Sequence, residues 1–286
     1  MNVILPLICS LISAGITIGG KIFTTSLHPF TFAFLRYGLT AVCLLPLVLI
    51  YREKNTLELR FIPLFIFLGF ILVLVFNALY FSALCFSSAT CITLIGATNP
   101  VLTLLASAVI LRTLPNRYQL AACMLSFIGV ALVITKGVID FETFSGSKGE
   151  VYMLLAVMCQ ILYATTLKNI STHFSPLFLA FAPLLCGTLM ILPFTVNVEI
   201  MHVLSNFNYY EWGILSFICI GSALDIVCYS ASIKYTGPAW TNLIVFSTMP
   251  VFVFILEYLL LGKSLSVYQF LGGFLIVLSL LLGVSR

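Results

Sequence analysis

Ten apolar runs, each close to the ~20 residues that cross a bilayer as a helix, restrict this chain more than any other feature. Cut at charges, prolines and turn clusters, they cover 3–24, 29–51, 62–83, 88–111, 117–136, 149–168, 176–195, 212–233, 238–261 and 266–284 of 286 residues. Hydrocarbon offers backbone amides no water, so runs of this length must close their hydrogen bonds as helices. Charged residues make up 8% of the chain, against about a quarter in a soluble domain. The expectation is an all-α integral membrane protein with ten transmembrane helices. The start, Met1-Asn2-Val3-Ile4-Leu5-Pro6, has no basic stretch before the first run, which is therefore expected to stay as a span. The least marked boundary is Ser87-Ser88, between the third and fourth runs.

The ten runs are two sets of five. At a shift of 147, Lys21 falls on Lys168, Thr25 on Thr172, Pro29 on Pro176, Phe34 on Phe181 and Pro46 on Pro193. At a shift of 150, Thr98 falls on Thr248, Pro100 on Pro250, Val101 on Val251, Tyr118 on Tyr268 and Gln119 on Gln269. Leucine matches arise by chance in so apolar a chain; aligned Lys, Pro and Gln mark a repeat. The first repeat is assigned to 1–137 and the second to 148–286. Five is odd, so the second copy enters the membrane from the other side, and the repeats are inverted about an axis in the membrane plane.

Lys and Arg give the orientation. Arg52, Lys54, Arg60, Arg112, Arg117, Lys168, Lys234 and Arg286 lie on the face that carries both termini, against Lys21, Lys136, Lys148 and Lys263 on the other. Both termini are expected in the cytoplasm, with the loop 137–148 outside. These cations stand singly and form no basic face, so no nucleic acid is expected as a partner.

Pro100 and Pro250 each sit near the middle of a span, where proline removes a helical hydrogen bond. Matched helix breaks in two halves of a membrane chain point to a transporter's site, because freed backbone is tolerated only against protein or a wet cavity. Inert proline kinks are the plain alternative. Residues three or four apart share a helix face. Ser13, Thr17 and Lys21 then form one stripe, Gln160 and Lys168 a second, and Asn99, Thr103 and Ser107 a third. Asn242, Phe246 and Glu257 stripe the ninth span, Ser222, Asp225, Tyr229 and Ser232 the eighth, and Asn77 and Tyr80 the third. An intramembrane charge is a functional hypothesis by default, which singles out Arg36. It is read as binding a substrate carboxylate, or as half of a structural pair with Glu257, while Asp225 or Glu257 receives an ammonium group or carries a coupling proton. Lys21 lies near a span end, where lysine commonly snorkels to the headgroups.

Nine cysteines fall singly in apolar runs, with no CxxC and no histidine at ligand spacing; they read as packing residues, and neither metal nor cofactor is expected. HExxH, paired carboxylates at short spacing and a Gly-x-Ser-x-Gly elbow are missing, so the chain is not expected to be an enzyme. The fifth and tenth spans carry small residues (Ala121, Ala122, Ser126, Gly129; Gly272, Gly273, Ser279) and no interior charge, and are expected to be struts or the seam of a homodimer.

Several stretches carry a family resemblance: Pro29-Phe30-Thr31-Phe32-Ala33-Phe34-Leu35-Arg36, Asn99-Pro100-Val101, Leu259-Leu260-Leu261-Gly262-Lys263 and Tyr268-Gln269-Phe270-Leu271-Gly272-Gly273. On these the chain resembles the EamA-type members of the ten-helix drug/metabolite transporter superfamily. Members usually place an acid after the glycine that closes the ninth span; Lys263 stands there. The resemblance implies an inner-membrane carrier with a cavity between its halves. One mid-depth cation, Arg36, against Asp225 and Glu257 suits a zwitterionic or cationic metabolite better than a polyanion. The expected function is export or exchange of an amino acid-like or nucleoside-type metabolite by alternating access. The alternative is an importer or antiporter of a host-derived or nucleoside-type metabolite such as S-adenosylmethionine. A non-transporting scaffold or an intramembrane enzyme is the remote one.

Overall fold

The structure, a computed structural model, describes residues 3–23, 27, 29–51, 59–87, 89–112, 116–135, 148–195, 207–261 and 267–284. The expectations for Arg52, Lys54, Lys136, Lys263, Arg286 and the loop 137–147 lie outside the described residues, as does the side chain of Lys21. The helices are α1 (Ile4–Phe23), α2 (Pro29–Ile50), α3 (Ile62–Phe86), α4a (Ala89–Gly96), α4b (Asn99–Ile110), α5 (Arg117–Thr135), α6 (Lys148–Ile170), α7 (Pro176–Thr195), α8 (Tyr209–Thr236), α9 (Pro238–Leu261) and α10 (Val267–Val284). Seven of them are long and apolar enough to cross a membrane; α1, α4b and α10 are shorter apolar helices. The Ser87 boundary is a chain reversal, with α3 ending at Phe86 and Ser87 extended. Its counterpart between α8 and α9 is tighter: Gly237, at φ 90, takes a conformation that an L side chain resists, and Pro238 opens α9.

Packing repeats the duplication. Exchanging α1 with α6, α2 with α7, α3 with α8, α4 with α9 and α5 with α10 maps the main contacts onto one another. The packing of α1 on α8 and α9 answers that of α6 on α3 and α4, and α2 on α8 answers α7 on α3. Three pairs, α2 with α7, α4b with α9 and α5 with α10, bring counterparts together and so lie along the axis. The repeats therefore interlock. One half is α1, α2, α8 and α9, the other α3, α4, α6 and α7, each built from both copies. Apolar residues such as Val42, Leu49, Leu189, Phe217, Leu224 and Phe274 face outward, the belt that lipid requires.

The proline pair is not symmetric. In the first copy the helix is interrupted at Ala97–Thr98, and Asn99 and Pro100 open α4b. In the second, α9 runs unbroken through Pro250, so the expectation of two breaks is corrected to one. The flanks explain it: Gly96 and Asn99 are poor helix formers, whereas Phe246 and Met249 in the same register hold a helix better. Thr98 braces the interruption, its N–H and its hydroxyl both donating to the Ile95 carbonyl (3.0 and 2.6 Å).

The stripe on α5 and α10 is spent inside the chain. Gly129 and Gly272 pack backbone to backbone, so these small residues join two helices of one molecule, as the strut reading of that stripe expects. Residues Phe70–Val75 form a π turn within α3, and Asn77 Nδ2 donates to the carbonyls of Val73 (2.6 Å) and Leu72 (3.3 Å) that this turn exposes. Its amide nitrogen holds backbone. Asn77→Leu is expected to lower stability by about 1–3 kcal/mol, read by thermal unfolding in detergent, while exchange per folded molecule stays within about twofold.

Candidate functional site

Two polar groups meet inside the helices, one charged and one neutral. The charged group gathers on α8 between α1 and α2. Asp225 Oδ1 accepts from Ser13 Oγ (2.9 Å) and from Cys9 Sγ (2.8 Å), both on α1. One turn earlier on α8, Ser222 Oγ accepts from Arg36 Nε (2.9 Å). The Arg36 guanidinium also lies 5.1 Å from the Tyr37 ring centroid, a favourable cation–π distance. Thr40, one turn on, donates to the carbonyls of Arg36 (2.6 Å) and Cys219 (3.3 Å), which ties α2 to α8. The cation's anchor, Ser222, and the carboxylate of Asp225 thus lie one turn apart on α8, each charge is held by neutral donors or acceptors, and each keeps part of its surface open. Such an arrangement can bind the two charges of a zwitterion, or an ammonium group at Asp225 alone.

The neutral group is a seam across the two halves. Tyr229 Oη donates to Asn242 Oδ1 (2.7 Å), and Asn242 Nδ2 donates to Asn99 Oδ1 (3.0 Å) and Thr103 Oγ1 (2.9 Å). Thr103 donates to Asn99 Oδ1 (3.0 Å), and Asn99 Nδ2 donates to Gln160 Oε1 (2.9 Å). Helices α8 and α9 of one half are stitched to α4b and α6 of the other. Asn99, Thr103 and Asn242 are 0% exposed, unlike Arg36 and Asp225. Toward the terminus-bearing face the closure continues. Lys168 Nζ donates to the Lys234 carbonyl (2.6 Å) and Lys234 Nζ to the Phe174 carbonyl (2.8 Å), so both lysines serve as caps between helix ends.

The remaining sequence-derived residues fall elsewhere. Glu257 lies about four turns along α9 from Asn242. Arg36 is tied to Ser222 on α8, and α2 packs on α7 and α8, so the expected Arg36–Glu257 pair is corrected. Tyr80 stacks on Phe76 (5.9 Å between centroids) and meets Phe81 edge-on (5.7 Å). Phe246 is half-buried one turn beyond Asn242. Pro100 is buried at the start of α4b beside the seam. Cys9, a packing residue by its sequence setting, in fact brings its thiol to the Asp225 carboxylate. The signal was its place one turn before Ser13 on the same face. A shallow depression of about 680 Å³, lined by Arg60, Phe61, Pro63, Leu64, Phe67 and His173, opens at the terminus-bearing end of α3, away from both groups.

An inverted-repeat bundle with a charged group inside one half and a sealed polar seam between the two defines a multi-pass membrane transport protein. The EamA-like transporter family model matches the chain twice, over residues 1–135 and 147–285, and the chain belongs to that family. Among its relatives is the uncharacterized transporter YyaM of Bacillus subtilis (strain 168), 30% identical over 251 residues, covering 86% of this chain and 81% of that one. A Synechocystis protein, likewise called an uncharacterized transporter, is 29% identical over 214 residues, 71% of this chain and 60% of its own. The fold is shared with a protein of solved crystal structure at 14% identity and a TM-score of 0.81, covering 99% of this chain and 96% of that one.

Proposed function

We propose that the chain is a secondary carrier in the cell's inner membrane, termini in the cytoplasm, exporting or exchanging a small zwitterionic or cationic metabolite by alternating access. The observation that carries this reading is the charged group. Arg36 is bonded to Ser222, one helical turn before Asp225 on α8, and Asp225 to Ser13 and Cys9, so neither charge is bonded to the other. An arginine in hydrocarbon costs several kcal/mol unless a cavity or an anion compensates it, and a substrate carboxylate supplies that anion. Asp225 receives the substrate ammonium or, between turnovers, the coupling proton, with Glu257 as the other candidate for the proton. The moving parts are the interlocked halves, which carry counterpart helices and so can exchange roles. The aromatic run Phe76, Tyr80 and Phe81 on α3 favours a second reading, an importer or antiporter of a nucleoside-type metabolite such as S-adenosylmethionine, whose flat base stacks on such rings.

The test is counterflow in proteoliposomes loaded with amino acids, nucleosides or their methylated derivatives. A carrier shows uptake of labelled solute that is accelerated by unlabelled solute inside. Uptake indifferent to the internal solute sinks the carrier reading in favour of a channel, and no uptake of any class favours a scaffold.

A further inference from the structure

The seam has no polar equal. At the repeat shift of 150, Asn99 falls on Met249, Thr103 on Val253, Asn242 on Ile92 and Tyr229 on Leu79; at 147, Gln160 falls on Ser13. Four of the five counterparts are apolar. Packing is unequal in the same sense: α9 packs along α4b, where the seam lies, while α4a packs on α5 and α6. Met249 and Val253, which would meet the far end of α4 in a mirrored contact, are half-buried like Leu79. Ile92 is sealed against Met153 and Val157 of α6 within its own half, whereas Asn99, Thr103 and Asn242 are sealed against one another across the halves. Polar contacts therefore join the halves toward the terminus-bearing face, while the counterpart positions on α3, α4 and α9 toward the other face are apolar.

We propose that Tyr229, Asn242, Asn99, Thr103 and Gln160 form a hydrogen-bonded gate on the terminus-bearing face, opposed on the far face by an apolar gate of Ile92, Leu79, Met249 and Val253. This rests on the alternating-access reading above and adds an unequal pair of closures to it. When the near gate parts, its amides must find water or a ligand in place of one another; the far gate closes by packing alone. The near gate is then the one that a single polar substitution can bias. Asn242→Ile, which copies the counterpart residue, removes the acceptor of Tyr229 and a donor to Asn99 and Thr103. Closure leaves the tyrosine hydroxyl buried without a partner, at a cost that moves the equilibrium about tenfold toward the open near face. Adding Tyr229→Phe removes the orphaned hydroxyl and returns most of the closure, since deleting both partners of a buried hydrogen bond is far less damaging than deleting one.

The experiment measures distances between spin labels across the halves, in protein whose exposed and half-buried cysteines are replaced. One pair sits at the exposed positions Ile4 and Thr172 on the terminus-bearing face, the other at Val151 and Tyr210 on the far face. Asn242→Ile is expected to enrich the long near-face distance about tenfold and to shorten the far-face distance in step; Asn242→Ile with Tyr229→Phe is expected to restore the wild-type distribution. Two interconverting populations that Asn242→Ile leaves in place, or that Tyr229→Phe does not restore, overturn the gate and leave the carrier standing. One fixed distance for each pair in every sample overturns both.

Discussion

Proteoliposomes carrying Arg36→Ala are expected to lose trans-stimulated exchange by about a hundredfold, equivalent to about 2.7 kcal/mol, since the proposed carrier uses this guanidinium to neutralise a substrate carboxylate at that depth. Two charge-assisted hydrogen bonds, each worth about 1.5–3 kcal/mol, cover that loss. Arg36→Lys keeps the charge but gives up the planar fork, and is expected to recover only part of the rate, about tenfold below wild type. On the same proposal Asp225→Asn is expected to lower exchange of a zwitterion about as far and to remove stimulation by a proton gradient. The competing account makes Arg36 a staple between α2 and α8 through Ser222. Ser222→Ala separates the two, since it deletes the staple's acceptor and leaves the charge. Exchange is expected to stay within about threefold while stability falls by about 1 kcal/mol. A Ser222→Ala protein as inactive as Arg36→Ala, alongside a fully active Arg36→Lys, would show that Arg36 only positions α8.

The elements that could be read in the sequence are those set by local pattern. Hydropathy and the shifts of 147 and 150 place the ten spans and their pairing, because burying a backbone in lipid demands long apolar helices wherever they later pack. Stripes were legible too: Asn99 and Thr103 share a face by spacing alone, and they do meet. Which stripe meets which was not legible, since the two copies interlock. Asn242 finds Asn99 across 143 positions and Arg36 finds Ser222 across 186, and no periodicity encodes either. Arg36 was matched with Glu257 on sign and depth, yet α2 packs against α8. Asn77 looked like a cavity residue because a π turn leaves no mark on hydropathy; the amide is consumed by carbonyls that the turn exposes. Cys9 is not legible as a polar partner because a thiol in an apolar run almost always packs, and only the Asp225 carboxylate beside it gives it a second role. The single break was within reach. Pro100 and Pro250 align, but Gly96 and Asn99 against Phe246 and Met249 already distinguish a helix that parts from one that holds.

Two adjacent glycines on α10 are expected to behave oppositely. A Cβ on Gly272 would stand 2.5 Å from the Gly129 carbonyl oxygen and 3.0 Å from the Val133 backbone nitrogen, and a Cβ on Gly129 would stand 2.8 Å from the Gly272 oxygen. Backbone atoms of a helix cannot turn aside as a side chain can, so the only relief is to part α5 from α10. In lipid that parting has little to offset it, because close van der Waals packing, not expulsion of water, holds such helices together. The parting also spreads, since α5 packs on α4a, α4b and α9. A Cβ on Gly273, by contrast, meets only the Phe254 ring at 3.6 Å, an ordinary contact. Gly272→Ala is therefore expected to cost about 3 kcal/mol, at the upper end of overpacking effects, or roughly 10 °C in thermal unfolding. Gly273→Ala is expected to change the midpoint by less than about 2 °C, since alanine fits and favours helix. Exchange per folded molecule should survive in both, because α5 and α10 carry none of the charged or seam residues. Equal destabilisation by the two substitutions would mean that α5 and α10 do not meet at Gly129 and Gly272.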